Sequence, residues 1–316
     1  MNIPLILLLS GGISFVITVT LSLIIIPYLR KLKIGQVVRS DGPEEHLKKT
    51  GTPTMGGIMM LIAMIGILII FAFKYPVLIL PIILILGYGI VGFIDDRKKL
   101  VEKSSDGISA KMKMILLFVF SVAFLVLYMV FCDWGTGTNI PFLDWAGVFV
   151  VFTMLVMLGT SNAINLTDGL DGLASGVSAI IMTFFTAVAI KRGDAAMVVL
   201  GATTVGATLA FLIFNVKPAK VFMGDTGSLA LGAAIASIAI LMKMPMYLLI
   251  VALIPVVETL SSALQVIYFK ATKGKRLFKM APLHHHLELS GLKETTIVIL
   301  FWGITAVLSL LGFVLV

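Results

Sequence analysis

Long apolar runs alternate with short polar segments along the whole chain. A helix needs about 20 mostly apolar residues to cross the hydrocarbon core of a bilayer. Ten stretches approach that length, at roughly 4–29, 55–73, 76–94, 114–131, 145–163, 173–190, 195–214, 228–242, 246–269 and 295–316. The eighth is short and rich in Gly and Ala, so its pattern is the weakest. The first has no basic residues ahead of it, is too long for a secretory leader, and is followed by Arg30, Lys31 and Lys33. It reads as a retained span with its N-terminus outside. No soluble domain, tandem repeat or low-complexity segment interrupts the series. The expected fold is an all-α polytopic membrane protein of about ten transmembrane helices, with residues 1–316 as a single integral membrane domain.

Composition agrees with the pattern. Of the 316 residues, 59% are hydrophobic and 13% charged, against roughly 45–50% and about 25% in soluble proteins. That excludes a soluble globular enzyme, a disordered chain and a disulfide scaffold. Cys132 is the only cysteine and has no evident role. A net charge of +8 often signals nucleic acid, but a membrane protein keeps Lys and Arg in its cytoplasmic loops, so no nucleic-acid partner is expected. With ten alternating spans, 20 of the 24 Lys and Arg fall on one face. The other face receives Lys74, Lys191, Arg192 and Lys243. This asymmetry puts the first face in the cytoplasm and both termini outside.

Most of the acids lie on the same basic face. A face that served only to set orientation would carry positive charge alone, so the mixture marks a polar site. Asp95-Asp96-Arg97-Lys98-Lys99 closes the third stretch. Adjacent carboxylates repel, and a divalent cation or nearby bases offset that repulsion. A solvated charge run capping a membrane helix fits the same residues. Mg²⁺ is usually held by one or two carboxylates together with substrate phosphates and water.

Asn162, Asn165, Asp168 and Asp171 recur at every third position, near one face of a helical turn. Gly169 and Gly172 would let a ligand approach the backbone. The segment 164–172 has no Lys or Arg, so its acids need a metal or substrate donors, unless they serve as helix caps. Asp225 stands between Gly224 and Thr226-Gly227 at the start of the eighth stretch. Such a turn can aim a carboxylate at a metal and amides at an anion, or cap the helix. Phe222 beside it could stack on a flat ring or simply pack.

His284-His285-His286 follow a basic, amphipathic lead-in that could lie along anionic headgroups. Three adjacent histidines do not converge on one zinc ion, and no cysteine supports them. Imidazoles donating to phosphates fit better. The Gly/Pro-punctuated basic loop 35–57 is a positive-inside anchor or a phosphate cradle. Glu258 falls inside the ninth stretch near Pro255. An intramembrane acid is functional by default, yet a structural role is favoured here, with a proline kink opening a lipid groove. Together these clusters hold the inventory of Mg²⁺-assisted phosphoryl transfer, carboxylates for the metal and bases for the phosphates.

At these residues the chain resembles the polyprenyl-phosphate N-acetylhexosamine-1-phosphate transferase superfamily. The carrying strings are GQVVRSDGPEEH, GTPTMGG, GFIDDRKK, SNAINLTDGLDGLA, FMGDTGSLALG and APLHHHLE, spread over residues 35–288. The last is specific to the branch that transfers phospho-MurNAc-pentapeptide.

The resemblance implies that undecaprenyl phosphate attacks UDP-MurNAc-pentapeptide on the cytoplasmic leaflet of a bacterial inner membrane, releasing UMP and leaving lipid I. It implies Mg²⁺ as cofactor, with Asp225 as main ligand and Asp95 and Asp96 beside it, one of them serving as base or orienting the lipid phosphate. Asn165, Asp168, Gly169, Leu170 and Asp171 would line the nucleotide site, with Phe222 under the uracil. Lys49, Thr54, Lys99, Lys111 and Asn215 would bind phosphate or position the site. Gln265, His284 and His285 would contact the sugar-phosphate or nucleoside, His284 among the catalytic groups. The resemblance also implies a homodimer in the membrane lipid. The nucleophile is already an ionised phosphate, so a strong base is not obligatory, and a double displacement through an enzyme-bound phosphosugar and a single in-line attack both fit the residues. Alternatives are a UDP-GlcNAc-1-phosphate transferase of the same superfamily and a transporter, although transporters place charge near the midplane rather than at one interface.

Overall fold

The computed structural model describes residues 2–31, 49, 51–102, 106–132 and 146–316. The motif at 35–46 and the Gly/Thr turn at 135–139 lie outside the described residues. The helices, in order, are α1 (Ile3–Lys31), α2 (Gly57–Ala72), α3 (Ile79–Glu102), α4 (Ala110–Phe131), α5 (Ala146–Thr167), α6 (Leu173–Arg192), α7 (Ala195–Asn215), α8 (Gly224–Leu241), α9 (Leu248–Val251), α10 (Leu253–Ala271), α11 (Leu283–Glu288) and α12 (Glu294–Leu315). Each of the ten apolar stretches coincides with one helix or, for the ninth, with the pair α9–α10. The all-helical membrane architecture follows from these runs: in hydrocarbon, a helix satisfies every backbone polar group internally.

Three elements depart from the simple reading. With 16 residues, α2 rises about 24 Å, less than the roughly 30 Å of a bilayer core. The eighth helix begins at Gly224 rather than near 228, because the polar Gly-Asp-Thr-Gly sequence forms its first turn. The ninth stretch is two rods that bend by 83°. The break is at Ala252, and Pro255 is the third residue of α10, where its missing N–H falls among amides that have no helical partner anyway. Pro255 therefore opens a second helix instead of kinking a continuous one.

The interior is built from α6, α7 and α8, whose apolar windows are 78%, 78% and 83% buried. By contrast α1, α4 and α12 turn rows of Leu, Ile and Val outward, including Leu8, Leu23, Val119 and Val314. Such apolar exposure suits hydrocarbon and not water. Small residues set the closest approaches, as expected where helices gain little by burying apolar surface from lipid. A Cβ on Gly92 of α3 would overlap the Asp225 carbonyl of α8, and one on Gly57 would overlap the Gly227 backbone. The first of these contacts lets the end of α3, with its two aspartates, lie directly on the first turn of α8.

Candidate active site

Asp96 accepts from the first amides of α8. Its Oδ1 takes the Asp225 N–H at 3.0 Å, and its Oδ2 takes the Thr226 N–H at 2.9 Å and the Thr226 hydroxyl at 2.6 Å. This is an N-cap supplied from another helix, favoured by the positive end of the helix dipole. Gly224 makes the turn possible, with φ at +73°. The cap leaves the Asp225 side chain pointing into the site. Asp95, one residue before the capping group, is held by the Ile108 amide on Oδ1 at 2.8 Å and by Lys99 on Oδ2 at 2.7 Å.

Asp225 collects three donors. Lys113 Nζ is 2.7 Å and Lys99 Nζ 3.2 Å from Oδ2, and Asn165 Nδ2 is 3.0 Å from Oδ1. Asn165 also donates to Ser228 Oγ at 2.8 Å, so the end of α5 is tied to the start of α8. Oxygens of Asp95, Asp96 and Asp225 lie within 4.8 Å of one another. That is a donor set of hard oxygens on two helices, which suits a small divalent cation. The residues fit a metal: the Lys99 ammonium bridges Asp95 and Asp225, which marks the gap between them as a place that draws positive charge.

Asp168 follows α5 and is half-buried. Burial first, and then the charges of Asp225, Asp96 and Asp171, push its carboxyl well above the ordinary carboxylate value. Its backbone amide donates to the Asn165 carbonyl at 3.3 Å, while among the described residues its carboxyl has no ion-pair or hydrogen-bond partner.

A second ionic network lies beside the first. Lys49 Nζ is 2.8 Å from Asp171 and 2.6 Å from Glu294 Oε1, and Lys217 Nζ is 2.7 Å from Glu294 Oε2. Glu294 also accepts the Asp171 amide at 2.9 Å, and Asp171 accepts the Ala219 amide at 3.0 Å. Asn215 accepts from the Gly172 amide and the Ser175 hydroxyl and donates to the Val221 carbonyl. These bonds join the loops after α5 and α7 to the start of α12. A strap from the α2 side completes the frame: the Phe222 amide donates to Pro53, and the Gly56 and Gly57 amides donate to Phe222 and Met223.

The histidines stand on α11. His284 is buried, with Nδ1 2.8 Å from Glu258 Oε2 and its backbone amide 3.1 Å from Glu258 Oε1. Gln265 of α10 accepts the Leu277 and Phe278 amides and so fixes the basic loop that leads to α11. His285 Nδ1 lies 2.9 Å from Glu288, and the His284 and His285 rings are 4.1 Å apart.

The structure thus brings Asp95, Asp96, Lys99, Asn165 and Asp225 into direct contact and sets Asp168 near them. Lys49, Asp171 and Asn215 belong to the second network. Thr54 and Leu170 are buried, and Phe222 is half-buried beside the first turn of α8. Lys111 is exposed on α4, and the lysine that reaches Asp225 is Lys113. Two residues are about 200° of helix, so the pair points to opposite sides. The Ser109 cap on the Met112 amide fixes that phase. Sequence reasoning also passed over Glu294 and Lys217. The available signal for Glu294 was an acid at the first position of an otherwise apolar helix.

The model of glycosyl transferase family 4 matches residues 77–243, which include both aspartate motifs and the Asn/Asp loop. The chain is 50% identical over 314 residues to a phospho-N-acetylmuramoyl-pentapeptide-transferase of Acetivibrio thermocellus, covering 95% of this chain and 92% of that protein. It is 46% identical over 319 residues to proteins of the same description from Bacillus mycoides and Bacillus thuringiensis, covering 97% and 96%.

Proposed function

Because this chain belongs to the phospho-N-acetylmuramoyl-pentapeptide-transferase family, within glycosyl transferase family 4, we propose a complete reaction for it. The chain is a membrane phosphosugar transferase of peptidoglycan synthesis. Its donor is UDP-MurNAc-pentapeptide and its acceptor undecaprenyl phosphate. An oxygen of the lipid phosphate forms a bond to the phosphorus carrying the sugar. The bond from that phosphorus to the UMP oxygen breaks, UMP leaves, and lipid I remains in the bilayer. The reaction runs at the cytoplasmic leaflet of a bacterial inner membrane, with both termini outside, and the family resemblance supports a homodimer. The UDP-GlcNAc and transporter alternatives draw no support from the relatives, which carry the pentapeptide-transferase description.

The observation that carries this reading is the meeting of Asp95, Asp96 and Asp225 with Lys99, Lys113 and Asn165 at the ends of membrane helices. Two anionic substrates must touch, so their repulsion is the barrier to lower. When bound, a Mg²⁺ ion held by Asp225 and Asp95 supplies charge neutralisation at the diphosphate. Asp96 keeps α8 in place through its cap. Lys99 and Lys113 are within reach of Asp225 and can turn to phosphate oxygens. Asn165 orients the Asp225 carboxylate. The Asp168–Asp171 loop, Asn215 and Phe222 bound the space for the nucleoside, with Lys49 and Glu294 bracing it. Gln265 and the α11 histidines bound the space for the sugar-phosphate. The lipid phosphate is ionised near neutral pH, so none of these groups needs to remove a proton.

The test is to mix purified protein in detergent with undecaprenyl phosphate, Mg²⁺ and either UDP-MurNAc-pentapeptide or UDP-GlcNAc, and to measure UMP. Release from the first donor alone is expected. No release, or equal use of UDP-GlcNAc, overturns the proposal.

A further inference from the structure

Glu258 lies in α10, inside a membrane-spanning stretch, and is fully buried. Its carboxylate does two things for one residue 26 positions away. Oε2 meets His284 Nδ1 at 2.8 Å, and Oε1 accepts the His284 backbone amide at 3.1 Å. The ring and the backbone of His284 are therefore fixed by the same group. A carboxylate buried here is costly unless its lone pairs are used, and both oxygens are used on His284. The opposite ring nitrogen, Nε2, is also buried and has no hydrogen-bond partner among the described residues. It faces Gly169, where a Cβ would overlap it. Gly169 follows Asp168 in the loop between α5 and α6, on the side of the aspartate cluster. A buried, unpartnered polar atom in a clamped ring, set against a residue with no side chain, is arranged to meet something that arrives.

We propose that Glu258 is a positioning residue for phosphosugar transfer, acting through His284. Its two hydrogen bonds hold the ring so that Nε2 is presented, across Gly169, to a polar oxygen of the nucleotide-sugar. Binding of that substrate supplies the partner Nε2 lacks. With Nδ1 committed to Glu258, the ring cannot flip or swing without breaking a buried bond, and so its orientation is set before the substrate enters. This inference rests on the phosphosugar-transfer reading above.

The experiment measures kcat and KM for UMP release from UDP-MurNAc-pentapeptide, with undecaprenyl phosphate and Mg²⁺, for wild type, Glu258→Gln, His284→Ala and the double variant. Thermal midpoints are measured alongside. Glu258→Gln keeps the shape of the side chain and is expected to lower kcat at least tenfold. The double variant is expected to be no slower than His284→Ala, because the ring that Glu258 orients is gone and a glutamine oxygen can still accept the backbone amide at position 284. Losses that multiply in the double variant overturn the proposal, as does a Glu258→Gln kcat within threefold of wild type.

Should Glu258→Gln fail to fold, Gly169→Ala tests the same geometry from the other side. It puts a methyl group where Nε2 lies, so that the ring or the Gly169 backbone must give way while Glu258 itself is unchanged. At least a tenfold loss is expected in the wild-type background and none beyond it in His284→Ala, whereas wild-type turnover of Gly169→Ala overturns the proposal. A wild-type protein that releases no UMP sinks the phosphosugar reading itself, a result distinct from multiplying losses.

Discussion

Lys113 Nζ lies 2.7 Å from Asp225 Oδ2, joining the first turn of α4 to the first turn of α8. Each side chain is 15% exposed. The pair is too buried to count as a solvated surface bridge, and a charge-assisted bond of this kind contributes about 1–3 kcal/mol. Lys113→Met should lower the thermal midpoint of the substrate-free protein by several degrees and UMP release at least tenfold. Lys111→Met should leave the midpoint unchanged, because that side chain points away from the cluster. Equal effects of the two variants would remove Lys113 from the site.

Asp95 and Asp96 are neighbours in sequence with different tasks. Asp96 accepts three hydrogen bonds from the first turn of α8, while Asp95 bonds the Ile108 amide and Lys99. Asp96→Ala should therefore lose stability, by about 1–3 kcal/mol for an uncapped, buried helix end, as well as activity. Asp95→Asn keeps its shape and should lose orders of magnitude in turnover with a midpoint near that of wild type. Thermal unfolding measured beside UMP release separates the two, and an Asp96→Ala midpoint equal to wild type would refute the cap.

The aspartate cluster also predicts a metal requirement. Removing divalent ions with a chelator should abolish UMP release, and adding back Mg²⁺ should restore it. Asp225→Ala should stay inactive at every Mg²⁺ concentration. Turnover in chelator equal to that in Mg²⁺ would exclude the ion from the mechanism.

Most of this fold is legible because hydrocarbon imposes a length: a run near 20 apolar residues has few other readings, and all ten runs are helical. The bend at Ala252 is not legible, because hydropathy is a window average and both rods are apolar. Asp95, Asp96 and Asp225 stand out for a related reason, as carboxylates at the ends of apolar helices. Pairings across the bundle leave no such trace. Glu258 and His284 are 26 residues apart, and Lys49 and Glu294 are 245 apart, so only the packing of α10, α11 and α12 brings them together. Lys113 was missed because a lysine count does not carry helical phase.

Glu294 is the residue on which the second network depends. It is almost wholly buried, with Lys49, Lys217 and the Asp171 amide around it. Glu294→Gln removes the charge and leaves two lysines facing a neutral amide. Losing one member of a buried pair costs about 3–5 kcal/mol, although Lys217 is partly exposed and can turn to water, so the lower end applies. The loops that Glu294 braces, after α5 and α7, bound the proposed nucleoside space. The expected result is a lower midpoint and a KM for the UDP-linked donor raised at least fivefold, with kcat less affected. A change in kcat alone would separate this network from donor binding.

Asp168 gives a pH test whose sign is fixed. Its folded carboxyl is raised well above the ordinary value of 3.8, by burial and by the charges of Asp225, Asp96 and Asp171. Between those two values the folded protein holds a proton that the unfolded chain has lost. Stability therefore falls as pH rises through that window, because ionising Asp168 in place costs more than ionising it in water. Asp168→Asn carries no charge at any pH and escapes the loss. In the absence of substrate and divalent ions, the two proteins should have similar midpoints near pH 4, where Asp168 is protonated. The asparagine variant should then gain on wild type as pH rises towards 8. A difference between them that stays constant across that range would show that Asp168 is not held in its neutral form by its neighbours.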